Sequence, residues 1–304
     1  MEDKLADRIR QLKEERNAVI LAHNYQLGEV QDAADFSGDS LELARKASKT
    51  QADVILFCGV RFMAEMAAIL NPDKIVLEPD HNAGCPMANM ITARQLRELK
   101  KEHPGAAVIC YVNSSADVKA ESDICCTSAN AASIMATFPP EREIIFVPDK
   151  SLGGWAAEKL GRKNVVLWDG YCPTHHRILA EDIVRQKEMH PEAKVAVHPE
   201  CREDVRALAD VVGSTSGILK FACNGGAKEV IMGTEVGMKH RIEKECPSVT
   251  IIPASELADC PNMKLNTLEK MLWSLEGMEY KVEVDSAVAE GAKRAIDRMM
   301  EVTS

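Results

Sequence analysis

Short runs of consecutive apolar residues alternate along this chain with longer segments in which apolar residues recur every three or four positions. The first pattern is typical of strands buried on both faces of a parallel sheet, and the second is typical of amphipathic helices. Their alternation predicts an α/β fold with parallel sheets. The predicted strands are Ala18–His23, Val54–Cys58, Lys74–Leu77, Ala107–Val112, Glu143–Val147, Asn164–Trp168, Lys194–His198, Glu229–Met232 and Val249–Ile252.

Every third predicted strand ends in a pair of functional side chains two positions apart, and corresponding members of the pairs are 88 and 87 residues apart. A hydroxyl-rich turn follows each pair. A Cys-Pro dipeptide then closes each unit, with spacings of 87 and 88 residues. The pairs are His23 with Tyr25, Tyr111 with Asn113, and His198 with Glu200; the turns contain Ser40, Ser128, and Ser214 with Thr215; the cysteines are Cys85, Cys172 and Cys260.

This period is too long for a solenoid, whose repeats span about 20–50 residues. It predicts three pseudo-symmetric repeats of a small parallel-sheet αβα domain. Packing alone could preserve such a period, but it would not explain why titratable side chains fall at equivalent strand ends. Because parallel sheets bind ligands at the carboxyl ends of their strands, these side chains should surround one central cavity. We predict repeats at 1–85, 86–172 and 173–261, with the helical segment 262–304 packing back on the first.

Charge and composition narrow the range of partners. The net charge is −10, no basic run occurs, and aromatic residues make up only 4%, so a nucleic-acid partner is not expected. No apolar run approaches the roughly 20 residues of a membrane helix. The charged start of the chain has no apolar signal-peptide core, and we expect a cytoplasmic protein. An anionic ligand would therefore need local hydrogen-bond donors.

Ten cysteines in a cytoplasmic protein favour thiols, metal ligands or catalytic groups over a disulfide framework. No CxxC pair occurs, which argues against a zinc ribbon or a thioredoxin motif. Most of the cysteines are interpreted as small core residues. This group contains Cys58, Cys110, Cys125, Cys126, Cys201, Cys223 and Cys246.

The three repeated Cys-Pro cysteines could bind either of two metal centres. With His175 as a fourth ligand they could form a closed Cys3His zinc site. Alternatively they could hold an iron–sulfur cluster, since proline also follows ferredoxin ligands. Three cysteines would leave one iron without a protein ligand, and that iron could act as a Lewis acid. His176, adjacent to His175, could equally be the inward-facing histidine.

Eight motifs occur in order along the chain and together resemble the quinolinate synthase family. They run from residue 22 to residue 270, so the resemblance covers nearly the whole chain. Each motif alone is weak evidence, but the ordered set is highly specific. The motifs are AHNYQ…GDSL, GCPMANM, YVNSSADVKAESDICCTSAN, VPDKSLGGW, WDGYCPTHH, HPEC, GSTSG and CPNMKLNTLEK.

The resemblance implies a [4Fe-4S] enzyme of de novo NAD biosynthesis that condenses iminoaspartate with dihydroxyacetone phosphate to quinolinate, phosphate and water. It implies that an aspartate oxidase or dehydrogenase supplies the iminoaspartate. The cluster ligands would be Cys85, Cys172 and Cys260. The substrate cavity would be lined by His23, Tyr25, Tyr111, Asn113, His175, His198 and Glu200, and the phosphate and carboxylates would be held by Ser40, Ser128, Ser214 and Thr215.

The sequence departs from the family pattern in two places. Asn89 stands where the family more often has Asp, and we expect an effect on hydrogen bonding around the cluster rather than on ligation. The chain also lacks a CxxC motif near its C-terminus that some members carry. Thiol–disulfide regulation by that route is therefore not expected.

The chemistry needs groups that accept and donate protons near neutral pH. We expect Glu200 and His198 to serve as general base and proton carrier, and Tyr25 as an acid or an orienting hydroxyl. The CxxH spacing favours His175 as a further catalytic residue. If the hydroxyl turns open helices, their free N–H groups would bind anions without a lysine. Other cluster-dependent hydro-lyases, an iron–sulfur carrier and a zinc lyase remain as alternatives.

Overall fold

Three four-stranded parallel sheets, each accompanied by helices, form the fold in a computed structural model that describes residues 2–302. The predicted α/β class and triplication are confirmed. The predicted range 1–85 begins with Met1, and the predicted range 262–304 ends with Thr303 and Ser304. These three residues lie outside the described residues. The domain boundaries within the chain stay a prediction.

The strands run in chain order, four to each sheet. The first sheet contains β1 (Ala18–His23), β2 (Phe36–Gly38), β3 (Val54–Cys58) and β4 (Ile75–Leu77). The second contains β5 (Ala107–Tyr111), β6 (Ile124–Cys126), β7 (Ile144–Val147) and β8 (Val165–Leu167). The third contains β9 (Lys194–Val197), β10 (Val211–Val212), β11 (Glu229–Gly233) and β12 (Thr250–Pro253).

Helices connect these strands and close the chain. Around the first sheet they are α1 (Glu2–Glu15), α2 (Gly28–Ala33), α3 (Ser40–Lys49) and α4 (Arg61–Leu70). Around the second they are α5 (Ala93–Glu102), α6 (Ala116–Ala120), α7 (Ala131–Ala136) and α8 (Lys150–Lys159). The rest are α9 (Pro173–His176), α10 (Ala180–Met189), α11 (Glu203–Arg206), α12 (Thr215–Asn224), α13 (Met238–Glu245), α14 (Leu268–Gly277) and α15 (Ser286–Glu301), with 3₁₀ turns at Met87–Asn89 and Met263–Leu265.

The strand order is the same in all three sheets: β2-β1-β3-β4, β6-β5-β7-β8 and β10-β9-β11-β12. The nine predicted strands are all present, but sequence analysis missed β2, β6 and β10. Each of these lies at an edge and has only two or three residues, which is too short to give an alternating or continuous apolar pattern.

One aspartate in each repeat joins the missed edge strand to the first strand of its sheet. The carboxylate of Asp35 accepts the backbone N–H of Ile20 at 2.9 Å, and the backbone carbonyl of Ile20 accepts the N–H of Asp35 in return. The same reciprocal pair recurs between Asp123 and Val108 and between Asp210 and Val195. The repeat therefore extends to individual hydrogen bonds.

Side-chain caps fix where the helices beside the cavity begin. Asp39 caps α3 by accepting the N–H groups of Leu41 and Glu42, and Glu42 completes a capping box. Ser214 caps α12 by accepting the N–H of Gly217. Both helices therefore begin immediately after a strand end, and their N-termini lie next to the cavity.

The two C-terminal helices lie on different repeats. Helix α14 packs on α1 and β3 of the first repeat, as expected for residues 262–304. Helix α15 instead packs mainly against α6 and β6 of the second repeat, which departs from that expectation. Gly291 explains the close approach, because a Cβ there would lie 2.9 Å from the Cβ of Ala120. Within residues 2–302 no helix is long and apolar enough to cross a membrane.

Cys223 and Cys246 form a disulfide between α12 and the end of α13, with their Cα atoms 5.4 Å apart. The prediction that both are packing thiols is wrong. The two helices pack together, which brings the cysteines within bridging distance although 23 residues separate them. Cys58, Cys110, Cys125, Cys126 and Cys201 are buried free cysteines, as predicted.

Candidate active site

The three repeats face a central cavity of about 120 Å³, several times the space that one water needs. Every predicted site residue except Ser214 lines this cavity. The lining residues from the prediction are His23, Tyr25, Ser40, Cys85, Tyr111, Asn113, Ser128, Cys172, His175, His198, Glu200, Thr215 and Cys260. The structure therefore brings the repeated strand ends together, while their chemical roles stay a prediction.

Ser214 is the predicted site residue that does not line the cavity, because its hydroxyl caps α12.

The structure also adds site residues that the sequence did not indicate. Asp39, Thr127 and Glu235 line the cavity, and Thr234 bonds to two of the lining side chains. Thr234 and Glu235 directly follow β11, so extending the strand-end argument to the middle strands would have identified them.

The three Cys-Pro segments share one local structure. Each proline begins or shortly precedes a helical turn, and the fixed φ of proline favours that geometry. Backbone N–H groups at the start of each turn interact with the cysteine sulfur: Met87 and Ala88 with Cys85, His175 with Cys172, and Asn262 and Met263 with Cys260. Such donors stabilise a thiolate, as a metal ligand requires.

Burial works against these donors. It raises the pKa of the Cys85 thiol to about 12 and also raises the pKa of Cys172 and Cys260. At neutral pH the three thiols are therefore protonated in the protein alone. A bound cation would deprotonate them.

The cysteine segments are fastened to their surroundings by specific contacts. The Asn262 side chain donates to the backbone carbonyl of Gly84 at 2.6 Å, which joins the Cys260 segment to the Cys85 segment. Glu235 accepts the backbone N–H of Cys260 at 3.0 Å. A Cβ at Gly170 would collide with the carbonyl oxygen of Pro148, so glycine is required two residues before Cys172.

The spacing of the sulfurs bears on which metal group fits. Sulfur ligands of one tetrahedral zinc lie roughly 4 Å apart, since each Zn–S bond is about 2.3 Å. Cys85, Cys172 and Cys260 do not form a group with ligand atoms within 4.8 Å of one another. The predicted Cys3His zinc site is thus not supported, because at least one pair of these sulfurs lies farther apart than the ligands of one zinc ion, a spacing that a larger group such as a [4Fe-4S] cluster can span. Within residues 2–302, Cys172, His175 and Glu200 form the one group that meets the 4.8 Å limit.

Glu200 is the centre of the hydrogen-bond network. Its Oε1 accepts the Tyr111 hydroxyl at 2.6 Å, and its Oε2 lies 2.7 Å from His175 Nδ1 and 3.7 Å from His198 Nδ1. Burial opposes ionisation of the carboxyl, but its interactions with His175, His198 and Tyr111 outweigh burial and lower the pKa of Glu200. Glu200 is therefore an ionised carboxylate in a buried site.

This ionised carboxylate sets the direction of a chain of hydrogen bonds. When Nδ1 of a neutral His175 donates to Glu200, its Nε2 atom accepts from the Thr234 hydroxyl at 2.9 Å. The Thr234 oxygen can then accept from the Tyr25 hydroxyl at 2.7 Å. The proton of neutral His175 is assigned to Nδ1 because that nitrogen faces the Glu200 carboxylate. The result is a continuous path for a proton from Tyr25 to Glu200.

The remaining ring groups are neutral at physiological pH. Burial lowers the pKa of His23 and of His198 to about 3, against the opposing charge of Glu200. Burial and the Glu200 charge raise the pKa of Tyr25 well above its usual range. His176 does not line the cavity; it bonds the Ser151 hydroxyl and stacks on Tyr171, so His175 is the inward histidine.

These lowered pKa values predict a loss of stability in acid. Free histidine titrates near 6.5, whereas His23 and His198 titrate near 3, so between these values the unfolded chain binds more protons than the folded one. Stability should then fall as the pH falls through that window, by up to about 1.4 kcal/mol per pH unit for each histidine. Glu200, whose pKa is lowered, adds to the loss only below about pH 4.5.

Urea unfolding of the metal-free protein at pH 7.5 and pH 5.0 measures this effect. We expect the free energy of unfolding to be lower at pH 5.0 by up to about 4 kcal/mol. In a His23→Gln variant the difference should shrink by up to about 2 kcal/mol, and half-buried His176, whose pKa is lowered to about 4, should add a smaller contribution in both proteins. Equal stability at both pH values would contradict the presence of two buried neutral imidazoles.

Two helix N-termini in the cavity wall offer hydrogen-bond donors to an anion. Ser40 and Thr215 are the first residues of α3 and α12, at the positive end of each helix dipole. The Asp39 cap already takes the N–H groups of Leu41 and Glu42, and the Ser214 cap takes that of Gly217, so the N–H groups of Ser40 and Thr215 themselves remain as donors for an anion. Each of these helices has ten residues. The third hydroxyl turn differs, since Ser128 precedes α7 by three residues and Asn130 is its N-cap.

The fold and the site together define a class: an α/β protein with three repeats that place three cysteines, a carboxylate relay and helix N-termini around one buried cavity. Comparison with known sequences gives the family. The profile described as "Quinolinate synthetase A protein" matches residues 7–301. The chain belongs to this family.

Named relatives cover almost all of the chain. The quinolinate synthase of Dehalococcoides mccartyi strain CBDB1 is 55% identical over 298 residues, 98% of each chain. The quinolinate synthase of Methanosarcina barkeri is 52% identical over 298 residues, 98% of this chain and 97% of its own. The quinolinate synthase of Thermodesulfovibrio yellowstonii is 50% identical over 304 residues and 100% of both chains.

Proposed function

We propose that this protein is a quinolinate synthase of de novo NAD biosynthesis that condenses iminoaspartate with dihydroxyacetone phosphate to quinolinate, phosphate and water. One observation carries the proposal. Three cysteines on equivalent Cys-Pro turns of three repeats line the same cavity as the Glu200 relay and two helix N-termini. Family membership supports the same conclusion.

Cys85, Cys172 and Cys260 would hold a [4Fe-4S] cluster in this cavity. The observations that favour it are the sulfur spacing beyond single-ion range and the N–H groups directed at each sulfur. With one iron lacking a protein ligand, the bound cluster would supply Lewis-acid assistance to the loss of water.

The protein's own residues would handle protons and orientation. Glu200 would accept a proton at Oε1 or Oε2, as a buried carboxylate already held ionised. His175 and Thr234 would pass a proton between Glu200 and the Tyr25 hydroxyl through the bonds described above. The sequence predicts His198 as a proton carrier, but burial lowers its pKa to about 3, so we propose that neutral His198 orients substrate polar groups together with His23. Tyr111 and Asn113 would fix Glu200.

Both substrates are anions, and the hydroxyl turns would bind them. Ser40 and Thr215 stand at helix N-termini, and Ser128 lines the same cavity. Ser214 would contribute by capping α12 and so holding Thr215 in place. This arrangement supports two anionic substrates rather than the single hydroxy acid of other cluster hydro-lyases.

The location and supply of substrate follow from this chemistry. We propose a cytoplasmic enzyme, since free thiols and an oxygen-sensitive cluster need a reducing compartment. An aspartate oxidase or dehydrogenase would supply unstable iminoaspartate. The repeats at 1–85, 86–172 and 173–261 would each contribute one cysteine.

An anaerobic assay with both substrates tests the proposal. Freshly generated iminoaspartate and dihydroxyacetone phosphate should give quinolinate and phosphate in equal amounts, and omission of either substrate should abolish both products. Dehydration of a single hydroxy acid, with no quinolinate formed, would instead establish the hydro-lyase alternative.

A zinc lyase is kept as a second candidate because of one observation. Cys172, His175 and Glu200 lie close enough to bind a single metal ion. Zinc bound there would have three protein ligands and an open position, as catalytic zinc does. Metal analysis distinguishes the two candidates.

A further inference from the structure

Asn24 lies fully buried next to the cavity wall and has a different partner at each end of its side-chain amide. Its Oδ1 accepts from Arg241 Nη1 at 2.7 Å. Its Nδ2 donates to Thr215 Oγ1 at 2.8 Å. The backbone of Asn24 is fixed as well, since its N–H donates to Gly38 and its carbonyl accepts from Gln31.

The hydrogen-bond partners fix which end of the Asn24 amide is the oxygen and which is the NH₂ group. A guanidinium can only donate hydrogen bonds, so the amide atom that faces Arg241 must be the oxygen. The atom facing Thr215 must then be the NH₂ group. Exchanging the two would set two donors against each other at 2.7 Å.

The same reasoning fixes the direction of the Thr215 hydroxyl. Because Thr215 Oγ1 accepts from Asn24, its own proton has to point elsewhere. Thr215 is buried, lines the cavity and stands at the positive end of α12. The hydroxyl proton is therefore available to an acceptor inside the cavity.

We propose that Asn24, held by Arg241, commits the Thr215 hydroxyl to donate to an oxyanion of the substrate. Asn24 and Arg241 are thus positioning residues, and they act through Thr215. The inference rests on the proposed function for the identity of the oxyanion, which is a phosphate or a carboxylate. It does not depend on the cluster, since neither side chain bonds to a cysteine segment.

Arg241 is suited to this role by its surroundings. Its side chain is 16% exposed, and it also donates to the backbone carbonyl of Ser37 and forms an ion pair with Glu245 at 2.8 Å. Glu245 is 46% exposed, so water screens its charge. The guanidinium of α13 is thereby fixed between the first and third repeats.

The variant Asn24→Asp tests the inference with almost no change of shape. A carboxylate would accept from both Arg241 and Thr215, so the Thr215 proton would turn away from the cavity. With anaerobically purified holoenzyme, dissociation constants for inorganic phosphate and for succinate should distinguish the two oxyanions. We expect about a 10- to 100-fold weaker affinity for the anion that Thr215 binds, and a matching rise in one substrate KM with a smaller change in kcat.

Matched variants separate the hydroxyl direction from the added charge. Thr215→Val should weaken the affinity for the same anion. Adding Asn24→Asp to Thr215→Val should lower that affinity by less than about threefold more, because the hydroxyl donor is already gone. Arg241→Lys keeps a donor to Asn24 and should retain near wild-type affinity for the anion. Arg241→Met removes that donor and should bind the anion more weakly. Asn224→Asp adds the same charge at the exposed far end of α12 and should leave both affinities unchanged.

The outcomes are distinct from those of the function assay. An active wild type whose Asn24→Asp variant folds and binds both anions normally would overturn the inference and leave the proposed function standing. If Asn24→Asp does not fold, wild-type anion binding by Arg241→Met would overturn it. A wild type that makes no quinolinate would overturn the proposed function, while the anion affinities of the variants would still decide the inference.

Discussion

Replacing Glu200 with glutamine should slow quinolinate formation by about 10²- to 10⁴-fold, the usual contribution of a positioned acid–base group. Glutamine has the same shape but cannot carry the charge that orders the site. Without a carboxylate, His175 no longer needs a proton on Nδ1, and the direction of the path through Thr234 to Tyr25 is no longer fixed.

The loss should appear in kcat, with iron and sulfide content unchanged, because Glu200 is not among the proposed ligands. Glu229→Gln is the matched control, since Glu229 is partly exposed at the start of β11, away from the cavity lining, and its carboxylate lies 3.3 Å from His190. It should retain wild-type activity. A Glu200→Gln enzyme with undiminished kcat would rule out Glu200 as the base.

Replacing Cys172 with alanine should remove both the cluster and the activity. One of three ligands would be missing, and Lewis-acid assistance worth several kcal/mol would go with it, so we expect activity to fall about 10³-fold or more. Iron and sulfide should fall together when the protein is purified without air. The measurement is metal and sulfide analysis beside the quinolinate assay.

Cys58→Ala is the control for the loss of a buried cysteine, because Cys58 lies in β3 with no exposure and does not line the cavity. This variant should lose some stability to its small cavity yet retain iron, sulfide and activity. Full cluster content in Cys172→Ala would exclude Cys172 as a ligand.

The repeat was visible in the sequence because equivalent strand ends carry polar and titratable side chains. Burying such side chains costs free energy, so their recurrence at buried strand ends indicates a functional role. Period and polarity predicted the three sheets, and all but one of the predicted site residues line the cavity, although the prediction missed others such as Asp39, Thr127 and Glu235. The edge strands β2, β6 and β10 escaped because two or three residues cannot show a pattern. They are held by Asp35, Asp123 and Asp210, whose sequence context looks like an ordinary turn.

The contacts between repeats could not be predicted from local pattern. Thr234 meets Tyr25 across 209 residues, and Arg241 meets Asn24 across 217. Only the packing of the first repeat against the third brings these pairs together. The Cys223–Cys246 disulfide was missed for a similar reason, since the expected reducing compartment argued for free thiols and the pairing depends on how α12 packs on α13.

The most direct test of the account is the quantification of iron, acid-labile sulfide and zinc in wild-type protein purified without air. A [4Fe-4S] enzyme predicts about four irons and four sulfides per chain, little zinc, a brown colour, and loss of iron and activity together on exposure to air. Stoichiometric zinc without sulfide, in a colourless protein, would contradict the cluster and identify Cys172, His175 and Glu200 as the metal site to study.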